Sequence, residues 1–383
     1  MPDWSAEVEA AAELADPAAA PDVNPVNVHD YEALARQRLP RAVLSYIEGA
    51  AGDEISLARN RSAFDGILLK PRVLRDVSRL DSSTEVFGQA LRFPFLLGPA
   101  AYHKLMHAEG ELGTARGAGA AGATLVISAL ATTSVEEIAA AAGGPLWFQL
   151  YVQRDRGFTR ELVQRAEAAG CRAICITVDT PVLGTRNRET RDRFDLPAGL
   201  DRANLRGIKG ATAPHFDAGG VYRDVLDPSL DWATVGWIRG FAKVPIVLKG
   251  VMAPEDARLA VEHGVAGVIV SNHGARNLDT TPATIEALPG VVEAVEGRMP
   301  VLLDSGIRRG IDVVKALALG AKAVLLGRAY LWALAAAGGA GVENIVRIIH
   351  TELLTAMALC GCTTIAEIDR RVLWWPEPPH RRG

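Results

Sequence analysis

The chain has 383 residues, of which 22% are charged and 49% hydrophobic, with 37 glycines and a formal net charge of −4. At that length a fold buries most of its surface without staples. Four cysteines, none in a C-x-x-C pair, exclude a disulfide scaffold or a Cys-built zinc site and suit a reducing compartment.

The charge is uneven. Eight acids precede the first lysine or arginine, Arg36, so everything beyond residue 35 carries +4. Residues 1–26, rich in Ala, Pro and Asp, read as an acidic flexible tail, the reverse of a secretory or organellar leader, and a soluble cytoplasmic protein is expected. Residues 28–55 have the spacing of two amphipathic helices, with Pro40 opening the second, and are expected to cap one end of the fold. No run approaches the ~20 apolar residues that cross a bilayer. Nor does any basic, aromatic-interleaved patch suggest nucleic acid.

From residue 93 onward, eight short apolar runs recur: FPFLLG (93–98), TLVIS (124–128), LWFQL (146–150), AICITV (173–178), PIVLK (245–249), GVIVS (267–271), PVLLD (300–304) and AVLLG (323–327). They read as strands buried on both faces, separated by Ala/Glu/Arg-rich helical stretches. Eight β-then-α units predict an α/β fold, a closed (β/α)8 TIM barrel, over an open doubly wound sheet. Roughly 65 residues separate the fourth and fifth runs, and the charged interior, 186–230, reads as a long lid loop. One domain over 27–372 is expected, with a tail at 373–383 that exposes Trp374 and Trp375.

Chemistry in such barrels lies at the C-terminal strand ends. Those positions hold Tyr102, Ser128, Gln149, Tyr151, Thr177, Asp179, Lys249, Asn272, His273, Asp304 and Arg328, a convergence of titratable and hydrogen-bonding groups on one mouth. DSGIRRG (304–310) and LLGRA (325–329) follow strands seven and eight, where Gly-rich turns with Arg308, Arg309 and Arg328 predict a phosphate site. A phosphate together with Lys249 ending strand five fits flavin mononucleotide better than a nicotinamide, which would need a Rossmann unit.

Gly117, Gly119 and Gly122 spell G-x-G-x-x-G but precede a strand, so they read as small residues packing a helix against the barrel. His103 and His107 are four apart without an H-E-x-x-H pattern, and no metal is expected. Asn60-Arg61-Ser62 is a glycosylation sequon, idle in a cytoplasmic protein, and the cysteines read as packing residues.

LPRAVLSYIEGAAGDE (39–54), AEGE (108–111), FQLY (148–151), TVDTPVLGTRNRE (177–189), LKGV (248–251), SNHGAR (271–276), DSGIRRG (304–310) and GRAYLW (327–332) appear in an order that resembles the FMN-dependent α-hydroxy acid oxidase/dehydrogenase family. The resemblance implies FMN as cofactor and His273 as catalytic base, oriented by Asp179. It implies Arg276 and Arg186 on the substrate carboxylate with the Tyr46 hydroxyl, and Tyr151 on the substrate oxygen. Pro99, Ala100 and Ala101 would underlie the flavin, and Ser128, Gln149 and Thr177 would bond its edge. Lys249 would sit at the flavin N1–C2 edge, with Ser271 also in the cofactor site. Asp304 would bind the ribityl chain, with Ser305 and Gly306 beside it, and Arg308, Gly327 and Arg328 the phosphate. A homo-oligomer, tetramer or octamer, is expected.

Two departures bear on this reading. Ser305 stands where many relatives have glycine, and FMN binding is expected to survive it. Leu130 stands where glycolate oxidases have Trp, which opens space. With Tyr102 and Leu183 it predicts an apolar pocket with one polar handle, for L-lactate or a larger (S)-2-hydroxy acid such as a mandelate. Ala101 and a loop without an apolar, basic attachment segment favour oxygen as acceptor and peroxide as product. A quinone-linked dehydrogenase and a branch that modifies a peptide-derived redox cofactor are the alternatives, and Arg276 argues against the second.

Overall fold

The computed structural model describes residues 24–207 and 227–374. Most of the acidic tail, the middle of the expected lid and Trp375 lie outside the described residues.

Three N-terminal helices, one more than expected, open the fold: α1 (Val28–Arg38), α2 (Arg41–Glu48) and α3 (Ile55–Asp65). Asn27 caps α1 by accepting from His29 N (2.7 Å) and Asp30 N (3.1 Å). A short antiparallel hairpin, β1 (Thr84–Val86) and β2 (Gln89–Leu91), follows. The barrel then alternates as β3 (Phe95–Leu97), α4 (Gly110–Ala121), β4 (Leu125–Ser128), α5 (Val135–Ala141), β5 (Leu146–Leu150), α6 (Arg156–Ala168) and β6 (Ile174–Thr177). Next come α7 (Asn187–Arg191), α8 (Trp232–Arg239), β7 (Ile246–Lys249), α9 (Pro254–Glu262), β8 (Gly267–Val270) and α10 (Thr284–Val295). The chain closes through β9 (Val301–Leu303), α11 (Gly310–Ala318), β10 (Ala323–Leu326) and α12 (Arg328–Leu359). All eight barrel strands pair in parallel in sequence order, and β10 returns to β3, so the expected (β/α)8 barrel is closed.

Strand parity connects this fold to its site. Leu96, Val126, Trp147, Cys175, Val247, Ile269, Leu302 and Leu325 form one buried cluster, the filled barrel interior. Side chains alternate along a strand, so two residues further on the inward positions are Gly98, Ser128, Gln149, Thr177, Lys249, Ser271, Asp304 and Gly327. The barrel is therefore apolar through its middle and polar at its C-terminal mouth. The unforeseen hairpin plugs the opposite end: Phe87 packs 5.4 Å from the Trp147 ring, and Trp147 Nε1 donates to Gln89 Oε1 (2.9 Å).

The N-terminal helices lie over the mouth. Arg328 Nε donates to Ile47 O (2.7 Å) and its Nη2 to Gly49 O (3.0 Å), while Asn344 of α12 donates to the Tyr31 hydroxyl of α1 (2.8 Å). Asn60 and Asn272 exchange amide hydrogen bonds of 2.9 Å, which buries the sequon asparagine and stitches α3 to the loop after β8. The expected lid is a fixed wall as far as residue 205. Asn204 accepts from Val135 N (2.8 Å) and donates to Ser128 O (3.3 Å), and Phe194, Ala203 and Leu205 are buried. Those anchors are too sparse to make a period, which is why the stretch reads as loop.

Helix α4 carries Gly117 and Gly119, and Gly122 caps its end, but the two helical glycines face α12 and the turn at Gly143 rather than the barrel: a Cβ at Gly117 would lie 2.2 Å from Gly339 O. The domain also runs past the expected boundary at 372, because Leu373 bridges to Leu69 and Trp374 N donates to Leu68 O (2.8 Å). Among the described residues no helix is long and apolar enough to cross a membrane.

Candidate active site

One cavity occupies the C-terminal mouth. It is lined by Tyr46, Pro99, Ala100, Ala101, Tyr102, Ser128, Leu130, Gln149, Tyr151, Thr177, Leu183 and Arg186, and by Arg202, Lys249, His273, Arg276, Asp304, Ser305, Gly306, Arg308, Gly327 and Arg328. Nearly every site residue named from the sequence is thus brought to one place by nine different segments.

His273 begins a tight turn after β8 in which it, Gly274 and Ala275 are all left-handed (φ 57°, 64° and 64°), so the chain reverses and presents the imidazole to the cavity. Its Nδ1 lies 2.8 Å from Asp179 Oδ1, and its Nε2 faces the Tyr151 hydroxyl at 3.4 Å. Thr180 and Asn277 complete the support: Thr180 Oγ1 donates to Asp179 Oδ1 (2.9 Å), and Asn277 Nδ2 to Asp179 O (2.8 Å). Gly250, at φ 113°, makes room for this carboxylate, since a Cβ there would lie 2.5 Å from Asp179 Cβ. Burial pushes the Asp179 carboxyl up, but the charge and hydrogen bond of His273 outweigh it and hold Asp179 below the usual carboxylate range. Burial lowers His273 against the opposing pull of Asp179, which leaves the imidazole neutral near pH 7. Burial and then Asp179 push Tyr151 up to about 12, so it remains a protonated donor.

Two arginines face His273 from the wall. Arg276 donates to Tyr46 O (2.6 Å), Gly49 O (2.8 Å) and Glu189 Oε1 (2.8 Å), and its guanidinium lies 4.9 Å from the Tyr46 ring centroid. Arg186 Nη1 stands 3.6 Å from the other Glu189 oxygen. Glu189, only 3% exposed, holds both guanidiniums, and nothing in the local pattern singles it out from a charged loop. Phe194 stacks on Tyr46 at 4.6 Å and was equally illegible.

The floor and far end carry the remaining donors. Ser128 Oγ donates to Gln149 Oε1 (3.2 Å) and Gln149 Nε2 to Thr177 Oγ1 (2.9 Å), a hydrogen-bonded rim across β4, β5 and β6. Lys249 Nζ sits 3.1 Å from Asp304 Oδ2; burial would lower its pKa, but Asp304 and Asp179 raise it, so it is a permanent cation. Ser271, expected in the cofactor site, is fully buried beneath the mouth, where its Oγ accepts from Lys249 Nζ (2.9 Å) and His273 N (3.1 Å) and so links the lysine to the turn that carries the imidazole. Arg309 likewise turns away from the expected phosphate site to bond Glu352 (2.7 Å). Ser305 adopts φ 72°, which explains why glycine suits the position. Its hydroxyl donates to Asp304 (2.8 Å) and accepts from Gly274 N (3.1 Å), tying the two left-handed turns together. Gly306 is obligatory: at φ 84° a Cβ would lie 2.0 Å from Asn60 O.

Arg308 and Arg328 make no ion pair among the described residues although both line the cavity. Burial, with the charges of Arg276 and Arg308, presses Arg328 down to about 9, the mark of a cation cluster that favours an anion. A Cβ at Gly327 would meet nothing within 4 Å, so the space beside the start of α12 is cavity. Two half-buried guanidiniums, a helix N-terminus, a polar rim and a buried lysine are the donor set that a phosphate-bearing, planar, electron-accepting cofactor requires.

The fold and site define a flavin-dependent oxidoreductase of the barrel type. Residues 35–375 match the family described as FMN-dependent dehydrogenase, and the chain belongs to it. It is 46% identical over 358 residues to the L-lactate oxidase of Nostoc sp., covering 91% of this chain and 98% of that protein. It is 48% identical over 347 residues to the glycolate oxidase of Spinacia oleracea, covering 90% and 94% respectively. The crystal structure of a mandelate oxidase superposes with a TM-score of 0.84 at 42% identity, covering 92% of this chain and 98% of that one.

Proposed function

We propose that the protein oxidises an (S)-2-hydroxy acid to the 2-oxo acid with oxygen as acceptor, yielding hydrogen peroxide, and that L-lactate or a larger 2-hydroxy acid is preferred over glycolate. The observation that carries this reading is the Asp179–His273–Tyr151 array facing the Arg186–Arg276 pair across one cavity. Bound FMN supplies the two-electron acceptor. Arg276 and Arg186 receive the planar carboxylate, which two guanidiniums clamp better than point charges can. That clamp places the hydroxyl and α-carbon beside His273, turning binding energy into orientation. Neutral His273 takes a substrate proton at Nε2, and the Asp179 carboxylate at Nδ1 stabilises the resulting imidazolium. Tyr151, protonated throughout the working range, donates to the substrate oxygen. Lys249 stabilises negative charge developing at the floor of the cavity.

The support for a substrate larger than glycolate is Leu130, which with Leu183 gives the cavity an aliphatic stretch of wall near the phenol of Tyr102. A cytoplasmic homo-oligomer, tetramer or octamer, belongs to the same reading. Val73 (82% exposed), Leu74, Leu359, Trp374 and Leu68 are exposed apolar side chains, with Arg72 N bonded to Leu359 O and Trp374 N to Leu68 O, and they support self-association, which light scattering tests. The test of the function is anaerobic bleaching of the yellow holoenzyme by L-lactate, (S)-mandelate and glycolate. His273→Gln should keep its flavin spectrum and lose ~10²–10⁴-fold in reduction rate. Unchanged reduction in that variant, or bleaching by none of these acids, would refute it.

A further inference from the structure

The cavity wall holds a further cation, Arg202, that the sequence pattern did not single out. Arg202 lines the cavity, and its Nε donates to the Tyr102 hydroxyl at 2.8 Å. The clamp and Arg202 stand on either side of two tyrosines: the Arg276 guanidinium lies over Tyr46, the Tyr46 and Tyr102 rings are 5.8 Å apart, and Arg202 bonds Tyr102. Arg202 is held firmly, because the next residue donates from Ala203 N to Ala131 O (3.0 Å), beside Leu130. Its charge is unanswered. Asp201 is committed to Arg206 (2.8 and 3.0 Å), and among the described residues no carboxylate lies within 4.0 Å of Arg202 and its terminal amino groups have no hydrogen-bond partner.

The charges at the mouth have separate counterparts. Lys249 has Asp304, and Arg186 and Arg276 share Glu189. Arg308 and Arg328 form the phosphate end. Arg202 lines the same cavity as Leu130, the position taken above to border the substrate's own side chain. Because the Tyr102 oxygen already accepts from Arg202, its proton is free to be donated to the same ligand. A guanidinium and a phenol side by side recognise a carboxylate, not a methyl or phenyl group.

We propose that Arg202 and Tyr102 form a distal carboxylate subsite, and that the preferred substrates are 2-hydroxy acids bearing a second carboxylate at the far end of a short chain. This rests on the 2-hydroxy acid reading above but is tested separately from it, by binding to the oxidised holoenzyme. The probes are 2-oxoglutarate and the uncharged-chain analogue 2-oxovalerate, titrated while the flavin absorbance is followed, so no turnover is needed. The dissociation constant for 2-oxoglutarate should be at least tenfold lower. Arg202→Met should abolish that ratio, and Arg202→Lys, which keeps the charge but not the fork, should restore part of it. In turnover, the kcat/KM ratio of (S)-2-hydroxyglutarate to L-lactate should fall in parallel. Equal affinities for the two oxo acids, or a preference that survives Arg202→Met, overturns the subsite. Bleaching by no hydroxy acid overturns the oxidation chemistry and leaves the binding ratio to decide Arg202.

Discussion

Replacing Asp179 by Asn removes one charge and almost no volume, and the structure fixes what should follow. The carboxylate sits 2.8 Å from His273 Nδ1 in a buried setting, and its charge works to raise the imidazole pKa against burial. A charge-assisted hydrogen bond of this kind contributes roughly 1.5–3 kcal/mol. His273 in the free variant should therefore titrate lower than in the parent, because the charge that opposed burial is gone. Since the base must be neutral to act, kcat/KM falls on the acid side as His273 protonates, and that limb should move to lower pH in Asp179→Asn. At the plateau the rate should drop by about 10–150-fold, because the imidazolium formed in the transition state loses the same stabilisation. Stopped-flow flavin reduction from pH 4.5 to 9, with the visible spectrum confirming bound FMN, reads both effects. An acid limb that moves upward, or a plateau rate equal to the parent's, refutes the assignment of Asp179 as the partner of the base.

Two further outcomes test the cations. Arg276→Lys cannot serve Tyr46 O, Gly49 O, Glu189 and a substrate carboxylate at once, so KM should rise by about 10–100-fold with loss of charge-assisted bonds of roughly 1.5–3 kcal/mol. An unchanged KM would move the clamp elsewhere. Arg328→Met removes a half-buried guanidinium that also anchors Ile47 O and Gly49 O; the purified protein should lose its yellow colour on dialysis, and FMN added back should bind about 100-fold more weakly. Retention of stoichiometric FMN would show that the phosphate end lies away from α12.

The sequence alone determined the barrel, because each of its strands is a short continuous apolar run that can be buried only on both faces. It also determined most of the cavity, since inward parity extended two residues past each apolar position lands on Ser128, Gln149, Thr177, Lys249 and Asp304. What periodicity could not reach were contacts made across long sequence separations. Glu189 is one of many charges in a loop until the fold sets it between Arg186 and Arg276. Arg309 has the right chemistry and neighbourhood, but an ion pair to Glu352 turns it away from the cavity. Arg202 was hidden for the same reason, as a basic residue in an apparent lid, until burial of Ala203, Asn204 and Leu205 pinned it to the mouth. Local pattern sets which face of a strand is buried. Only closure of the barrel decides which side chains, drawn from segments more than two hundred residues apart, share one desolvated space, and that sharing fixes their charges and partners.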